Sequence, residues 1–172
     1  MPEDWVTEDQ IQSFKPSKTS APKFKGASSI ALDAGGDIAL LGGEDGRACV
    51  FSISLGKPTY DYSVDQGSVT DVAWADTKAV LASSTGAVKV YENGEESAKF
   101  SQHAGKASAL AVHPSGEILA SVGVDKSIIF YDVVGAKVAT QIFTNSCKSA
   151  LLVRKSLLTQ FSLDNSSVPP RR

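Results

Sequence analysis

The sequence predicts an all-β chain made of three consecutive four-stranded antiparallel units, and three observations carry that expectation. The segment SIALDAGGDIALLGGEDGRACVFS, starting at Ser29, aligns without a gap on ALAVHPSGEILASVGVDKSIIFYD, starting at Ala109. Ile30 falls on Leu110, Leu32 on Val112, Gly36 on Gly116, Ile38 on Ile118, Asp45 on Asp125 and Phe51 on Tyr131. A further copy, TDVAWADTKAVLASSTGAVKVYE, lies between them, with Val90 and Tyr91 midway between Val50/Phe51 and Phe130/Tyr131. Finally, short apolar runs alternate with turn residues from Ala27 onward, and no sustained 3.6-residue apolar period interrupts them.

Residues 1–26 read as a largely irregular linker arm. Glu3, Asp4, Glu8 and Asp9 make its start acidic, and Thr7 is placed to cap one helical turn in TEDQIQSF. Pro16, Pro22 and the intervening Ser and Lys residues then disfavour regular structure. Trp5 and Phe14 are the arm's candidate docking side chains.

The three units are placed at 27–66, 67–105 and 106–145. Their first strands carry Ile30/Leu32, Val72/Trp74 and Leu110/Val112, alternating with Ser29/Ala31, Asp71/Ala73 and Ala109/Ala111. Period-two alternation sends large and small groups to opposite sheet faces, so stacked units interlock large against small. Second strands are DIAL, AVLAS and EILAS, and third strands ACVF, VKVY and IIFY, each closing on an aromatic ring. PTYDYS, SAKFS and KVATQIF supply weaker fourth strands. The turns DAGGD and HPSGE join first to second strands, EDG and VDKS join second to third, and Gly56, Gly94 and Gly135 mark the third-to-fourth turns. On this alignment the middle copy is two residues shorter in its second turn and lacks the turn aspartate.

A four-stranded unit repeating every 40 residues or so is the signature of WD-type β-propeller blades. LASVGVDKSIIFYD resembles the WD-repeat motif, with Tyr131–Asp132 where a Trp–Asp pair normally lies and Tyr91–Glu92 and Phe51–Ser52 as weaker versions. His103 in SQHAG resembles the histidine that opens such repeats. In that family a histidine, a second-strand hydroxyl, a turn aspartate and the aromatic residue form a buried hydrogen-bond network. The resemblance implies that His103, Ser121, Asp125 and Tyr131 fill those places. A chain with three such blades is expected to be an incomplete propeller, with exposed terminal faces and marginal stability alone.

A narrower resemblance lies in PEDWVTEDQIQSFKPSKTSAPKFKGASSIALD and the divergent blades after it, covering residues 2 to about 147. This stretch is similar to the pre-mRNA-processing factor nineteen family, particularly its fungal forms. The resemblance implies a nuclear scaffold with spliceosomal and ubiquitination-complex partners. In the complete family member, a U-box and a tetramerisation segment precede a seven-bladed propeller and supply ubiquitin ligation, with a further role in DNA repair. Neither of those preceding segments matches anything in this sequence, so the chain itself is expected to carry no ligase chemistry.

From about Cys147 the repeat pattern stops. KSALLVRKSLLTQFSLDNSSVPPRR holds no His–Pro–x–Gly turn and no second hairpin, so residues 146–172 read as a divergent, non-native tail. Within it LLVRKSLL has the makings of a short basic amphipathic helix, which incidental composition explains as well.

Composition excludes several function classes. The net charge of −2 and the lack of a basic patch argue against a direct nucleic-acid site. No run of about 18 apolar residues suggests a membrane span, and the acidic N-terminus is not a signal peptide. Arg154–Lys155 and Arg171–Arg172 are too sparse for an import signal. Cys49 and Cys147 form neither a disulfide framework nor a zinc motif, and two histidines ten residues apart match no metal-ligand spacing. Gly42, Gly43 and Gly46 lack the Lys–Ser/Thr ending of a phosphate loop. His103, His113 and Asp125 invite comparison with Ser–His–Asp catalysis, but repeat turns account for both histidines and no GxSxG turn is present. The acidic group Glu92, Glu95 and Glu96 reads as a solvated turn. No catalytic, cofactor or metal residue is therefore assigned.

Overall fold

Twelve strands follow one another in the computed structural model, which describes residues 25–143. The arm before Lys25 and the tail after Phe143, with Trp5, Phe14 and Cys147, lie outside the described residues. The first unit comprises β1 (Ala27–Leu32), β2 (Ile38–Gly43), β3 (Arg47–Ser52) and β4 (Lys57–Ser63). β5 (Val69–Ala75), β6 (Lys78–Ser83), β7 (Val88–Glu92) and β8 (Glu95–Phe100) make the second. The third holds β9 (Ala107–Val112), β10 (Ile118–Gly123), β11 (Ser127–Asp132) and β12 (Lys137–Phe143). Each unit is one antiparallel four-stranded meander, so the described residues are all-β and form three blades in an array that is not closed.

The repeat extends to the irregularities of the ladders. The third and fourth strands slip register at Val50/Phe51, Val90/Tyr91 and Phe130/Tyr131, just before the aromatic residue each time. A bulge there adds twist at the outer edge of every blade.

Two apolar layers hold the blades together. Between the first and second blades, Leu40, Val50 and Tyr62 pack against Val72, Leu81 and Tyr91. Between the second and third, Val80, Val88 and Val90 pack against Leu110, Ile129 and Tyr131. Val72 faces back into the first layer while its small neighbour Ala73 faces forward into the second. Alternation along β5 thus feeds two interfaces from one strand. On β1 the same alternation leaves Ile30 and Leu32 exposed, because no described element covers their face.

Side-chain hydrogen bonds, rather than ladder bonds, join the first strands of the blades. Ser28 Oγ donates to Val69 O at 2.7 Å, Thr70 Oγ1 to Ala107 O at 2.5 Å, and Trp74 Nε1 to Ala31 O at 3.3 Å. The buried Asp71 serves all three blades. Its carboxylate accepts from Ser29 Oγ at 2.8 Å, from Val72 N at 3.0 Å and from Leu110 N at 2.8 Å.

Three local expectations need correction. The middle blade is shorter in its first turn, not its second. Asp76–Thr77 alone join β5 to β6, where five residues join the corresponding strands of the other blades. The string Leu-Ala-Ser at 81–83 and again at 119–121 is a coincidence of sequence. Pairing across β6/β7 and β10/β11 instead sets Ala79 opposite Tyr91 as Leu119 is opposite Tyr131. Gly135 does lie in the third-to-fourth turn, but one residue out of register with Gly56 and Gly94. Ala136, directly before β12, has a positive φ of 48°, as Gly56 (66°) and Gly94 (94°) have before β4 and β8. Finally, Glu92, Glu95 and Glu96 are open to solvent as expected, with Glu95 and Glu96 exposed, but they flank the Asn93–Gly94 turn rather than form it. Glu92 ends β7 and pairs with Lys78 at 3.2 Å, and Glu95 and Glu96 open β8.

Candidate functional site

Between the second and third blades the chain buries a continuous polar network. His103 lies in the β8–β9 connection, Ser121 in the middle of β10, Asp125 in the β10–β11 turn, and Tyr131 near the end of β11. His103 Nε2 is 2.6 Å from Ser121 Oγ, which is 2.9 Å from the Tyr131 hydroxyl. On the other side of the ring, Nδ1 is 3.1 and 3.2 Å from the two Asp125 oxygens. Ser127, which the sequence did not single out, completes the group. Its hydroxyl donates to Asp125 Oδ1 at 2.7 Å and lies 2.9 Å from His103 Nδ1.

The acceptor-only carboxylate fixes the proton order of this chain. Nδ1 carries the imidazole proton toward Asp125 and Ser127, so Nε2 accepts from Ser121. Ser121 Oγ in turn accepts from Tyr131. Every buried polar side-chain atom among the described residues has a hydrogen-bond partner, which removes the usual penalty for burying such groups. Gly123 makes room for the ring, since a Cβ there would lie 2.3 Å from His103 Nδ1.

Ser121, His103 and Asp125 have the connectivity of a hydrolytic triad, but the surroundings forbid that chemistry. Ser121 is fully buried within a regular strand, and Tyr131 occupies its remaining side. A nucleophile needs open space for a reacting carbonyl. His113 stands apart, its Nδ1 bound to Ser115 Oγ at 2.9 Å and Ser115 N at 3.2 Å within the HPSG turn. Among the described residues no group of three or more His, Cys, Asp or Glu is placed to hold a metal ion, and no helix is long and apolar enough to cross a membrane. Cys49 is buried, and burial together with the Asp61 charge raises its pKa, which lowers its reactivity.

The Asp125 carboxyl responds to its place in the network. Burial pushes its pKa up, but hydrogen bonds from the Ser127 hydroxyl, the Ala104 and Ser127 N–H groups and His103 outweigh this and bring it down to about 2. A carboxylate depressed in the folded state contributes stability above its ordinary value of 3.8, and that contribution is lost as pH falls toward 2. With allowance for solvent screening, the network's share is about 1–2 kcal/mol. Denaturant unfolding at pH 5 should show Asp125→Asn less stable than the parent chain by that amount, and the gap should close near pH 2. Asp65 is depressed likewise, so the difference between the two proteins, not the slope of either, is the measurement.

The corresponding position between the first and second blades holds different chemistry. Asp65 precedes β5 as His103 precedes β9, and Lys89 occupies on β7 the place of Ile129 on β11. The nearly buried Lys89 ammonium lies 2.5 Å from Asp65 and 2.6 Å from Glu96, and Lys99 also pairs with Asp65. Burial disfavours the Lys89 charge, but the two carboxylates more than restore it and raise its pKa. The Tyr91 hydroxyl, equivalent to that of Tyr131, donates to Ser63 O at 2.6 Å instead.

Comparison with known proteins agrees with this geometry. Residues 94–132 match the family described as WD domain, G-beta repeat, a span that includes His103, Ser121, Asp125 and Tyr131. No curated protein sequence matches the chain. Among solved structures, a chain of the mitotic checkpoint complex is similar at 17% identity and a TM-score of 0.63, over 67% of this chain and 36% of that one. The computationally designed Ika8 protein is similar at 24% identity and a TM-score of 0.63, over 70% of this chain and 37% of that one. These similarities concern the fold alone, and the chain spans little more than a third of either structure's length. The described residues form an open array of three propeller-type blades, and the stretch from Gly94 to Asp132 is similar to a WD repeat.

Proposed function

We propose that this chain is a protein-docking scaffold of the pre-mRNA-processing factor nineteen type, acting through its blade rims within nuclear splicing complexes. One observation carries the scaffold reading. The only Ser–His–Asp group among the described residues is sealed inside the array, while the turns that join its strands remain on the surface. Rigid sheets that present exposed loops are the usual basis of protein recognition. The similarity of the arm and blades to that family supports the choice of pathway. Ubiquitin ligation and DNA repair enter as activities of assemblies in which such a scaffold takes part, with no transfer chemistry in these blades.

Affinity purification of the tagged chain from its own cells, followed by mass spectrometry, tests the proposal. Spliceosomal and ubiquitination-complex proteins should co-purify from nuclear extract. Reproducible recovery of a different complex without spliceosomal proteins would overturn the pathway. Recovery of no partner at all would overturn the scaffold reading.

A further inference from the structure

The two-residue turn of the middle blade borders a cleft. Beside Asp76–Thr77 lies a cleft of about 720 Å³ between the first and second blades. That volume is in the usual range of ligand-binding clefts. Pro58, Tyr60, Tyr62 and Trp74 are among the residues that line it. Tyr62 stacks on Tyr91 with centroids 4.4 Å apart, and Tyr60 lies nearly parallel to Tyr62 at 6.3 Å. The Trp74 indole N–H is held by Ala31 O, which fixes the ring against the neighbouring blade. Tyr60 is 47% exposed although it belongs to this aromatic stack.

Two carboxylates line the cleft, Asp33 from the first blade and Asp76 from the second. Asp33 Oδ1 accepts from Ile38 N at 2.8 Å, which anchors that side chain. Asp76 sits at a positive φ of 56° in the two-residue turn. Lys57 is the only cationic residue of the lining. The lining is therefore rich in aromatic rings and net acidic.

We propose that this cleft binds the arginine side chain of an extended segment of a partner protein. The guanidinium stacks on the Tyr60 and Trp74 rings and pairs with Asp33 and Asp76. Arginine fits better than lysine because its planar group both stacks on aromatic faces and bonds carboxylates in a fork. Lys57 is positioned to meet carbonyls of the segment. The proposal deepens the scaffold reading and rests on it, since it names what one part of the rim recognises.

The test uses the full chain with Trp5→Phe, which leaves Trp74 as the sole tryptophan. Indole fluorescence is followed during titration with the blocked peptide Gly-Ser-Arg-Ser-Gly and with counterparts carrying citrulline or Glu in place of Arg. The arginine peptide should give a saturable change, with binding about tenfold weaker for citrulline and none for Glu. Asp76→Asn, which suits the positive φ, should weaken the arginine peptide several-fold while thermal unfolding stays unchanged. Equal responses to all three peptides, no saturation up to about 10 mM, or full affinity in Asp76→Asn would each overturn the proposal. Those failures alongside retained capture of spliceosomal proteins would remove the cleft and leave the scaffold reading standing. Arginine-selective binding without such capture would do the reverse.

Discussion

Tyr131→Ala should destabilise the protein by about 3–5 kcal/mol, whereas Tyr131→Phe should cost about 1–2 kcal/mol. Tyr131 is fully buried between the second and third blades, its ring 4.5 Å from that of Phe100 in a tilted contact. Truncation to Ala removes an aromatic ring from the layer that also contains Leu110 and Ile129, and the meanders on either side are too constrained to close the cavity. Phe keeps the packing and removes only the hydroxyl that donates to Ser121 at 2.9 Å. Ser121 still donates to His103, so the loss is one net hydrogen bond rather than a stranded polar group. Urea unfolding followed by far-ultraviolet circular dichroism measures both variants. Against a typical domain stability of about 5–15 kcal/mol this is a large share of the total, so the Ala variant should unfold at a much lower urea concentration than the parent. A Tyr131→Ala protein within about 1 kcal/mol of the parent would contradict the packing described here.

Gly86→Ala should be nearly as damaging, at about 3 kcal/mol or more, from a single added methyl. The residue has φ of 92° in the β6–β7 turn, where a Cβ carries a strain of about 1–2 kcal/mol. A Cβ would also lie 2.4 Å from Gly105 O and 2.5 Å from His103 O, both backbone atoms of the connection that carries the polar network. Relief requires moving that connection, which adds an overpacking cost of about 1–3 kcal/mol. Gly36→Ala separates the two contributions. Gly36 has φ of 72° with nothing within 4 Å of a Cβ, so its replacement should cost only the conformational share, about 1 kcal/mol. Parallel thermal melts of the two variants give the comparison, and equal losses would mean that the turn does not pack as described.

Most of the strands were legible because their signal is local. Alternation of Val72 and Trp74 with Asp71 and Ala73, and an aromatic ring closing each third strand, need only a few neighbouring residues to be read. The turn deletion was misplaced because Leu-Ala-Ser recurs by chance two residues out of register. The spacing of first strands against third strands carries the information, since Val72 is 42 residues beyond Ile30 while Val90 is 40 beyond Val50. Lys89 was missed for a different reason. Nothing in VKVY distinguishes a lysine that faces solvent from one held between blades, and its partner Asp65 is 24 residues away. Ser127 was hidden because the family resemblance supplies four network positions and the fifth is the first residue of β11. Asp71 read as a small group in an alternating strand, yet its carboxylate is what three adjacent first strands share.

The unlike polar groups at the two blade junctions have a consequence for assembly. Blades that repeat about every 40 residues are similar enough to stack in the wrong order, or against blades of another molecule. The Lys89 ammonium acts as an address on one junction. Docked on any blade connection without Asp65, it would keep Glu96 of its own blade but lose one of its two carboxylate partners while nearly buried, which disfavours that docking. The His103 ring is the address on the other, since Ser121, Ser127 and Asp125 meet its two nitrogens and the first two of these have Leu81 and Ala87 as counterparts on the second blade. Shape alone would let the blades be shuffled, and these two mutually incompatible junctions disfavour every order but the one encoded.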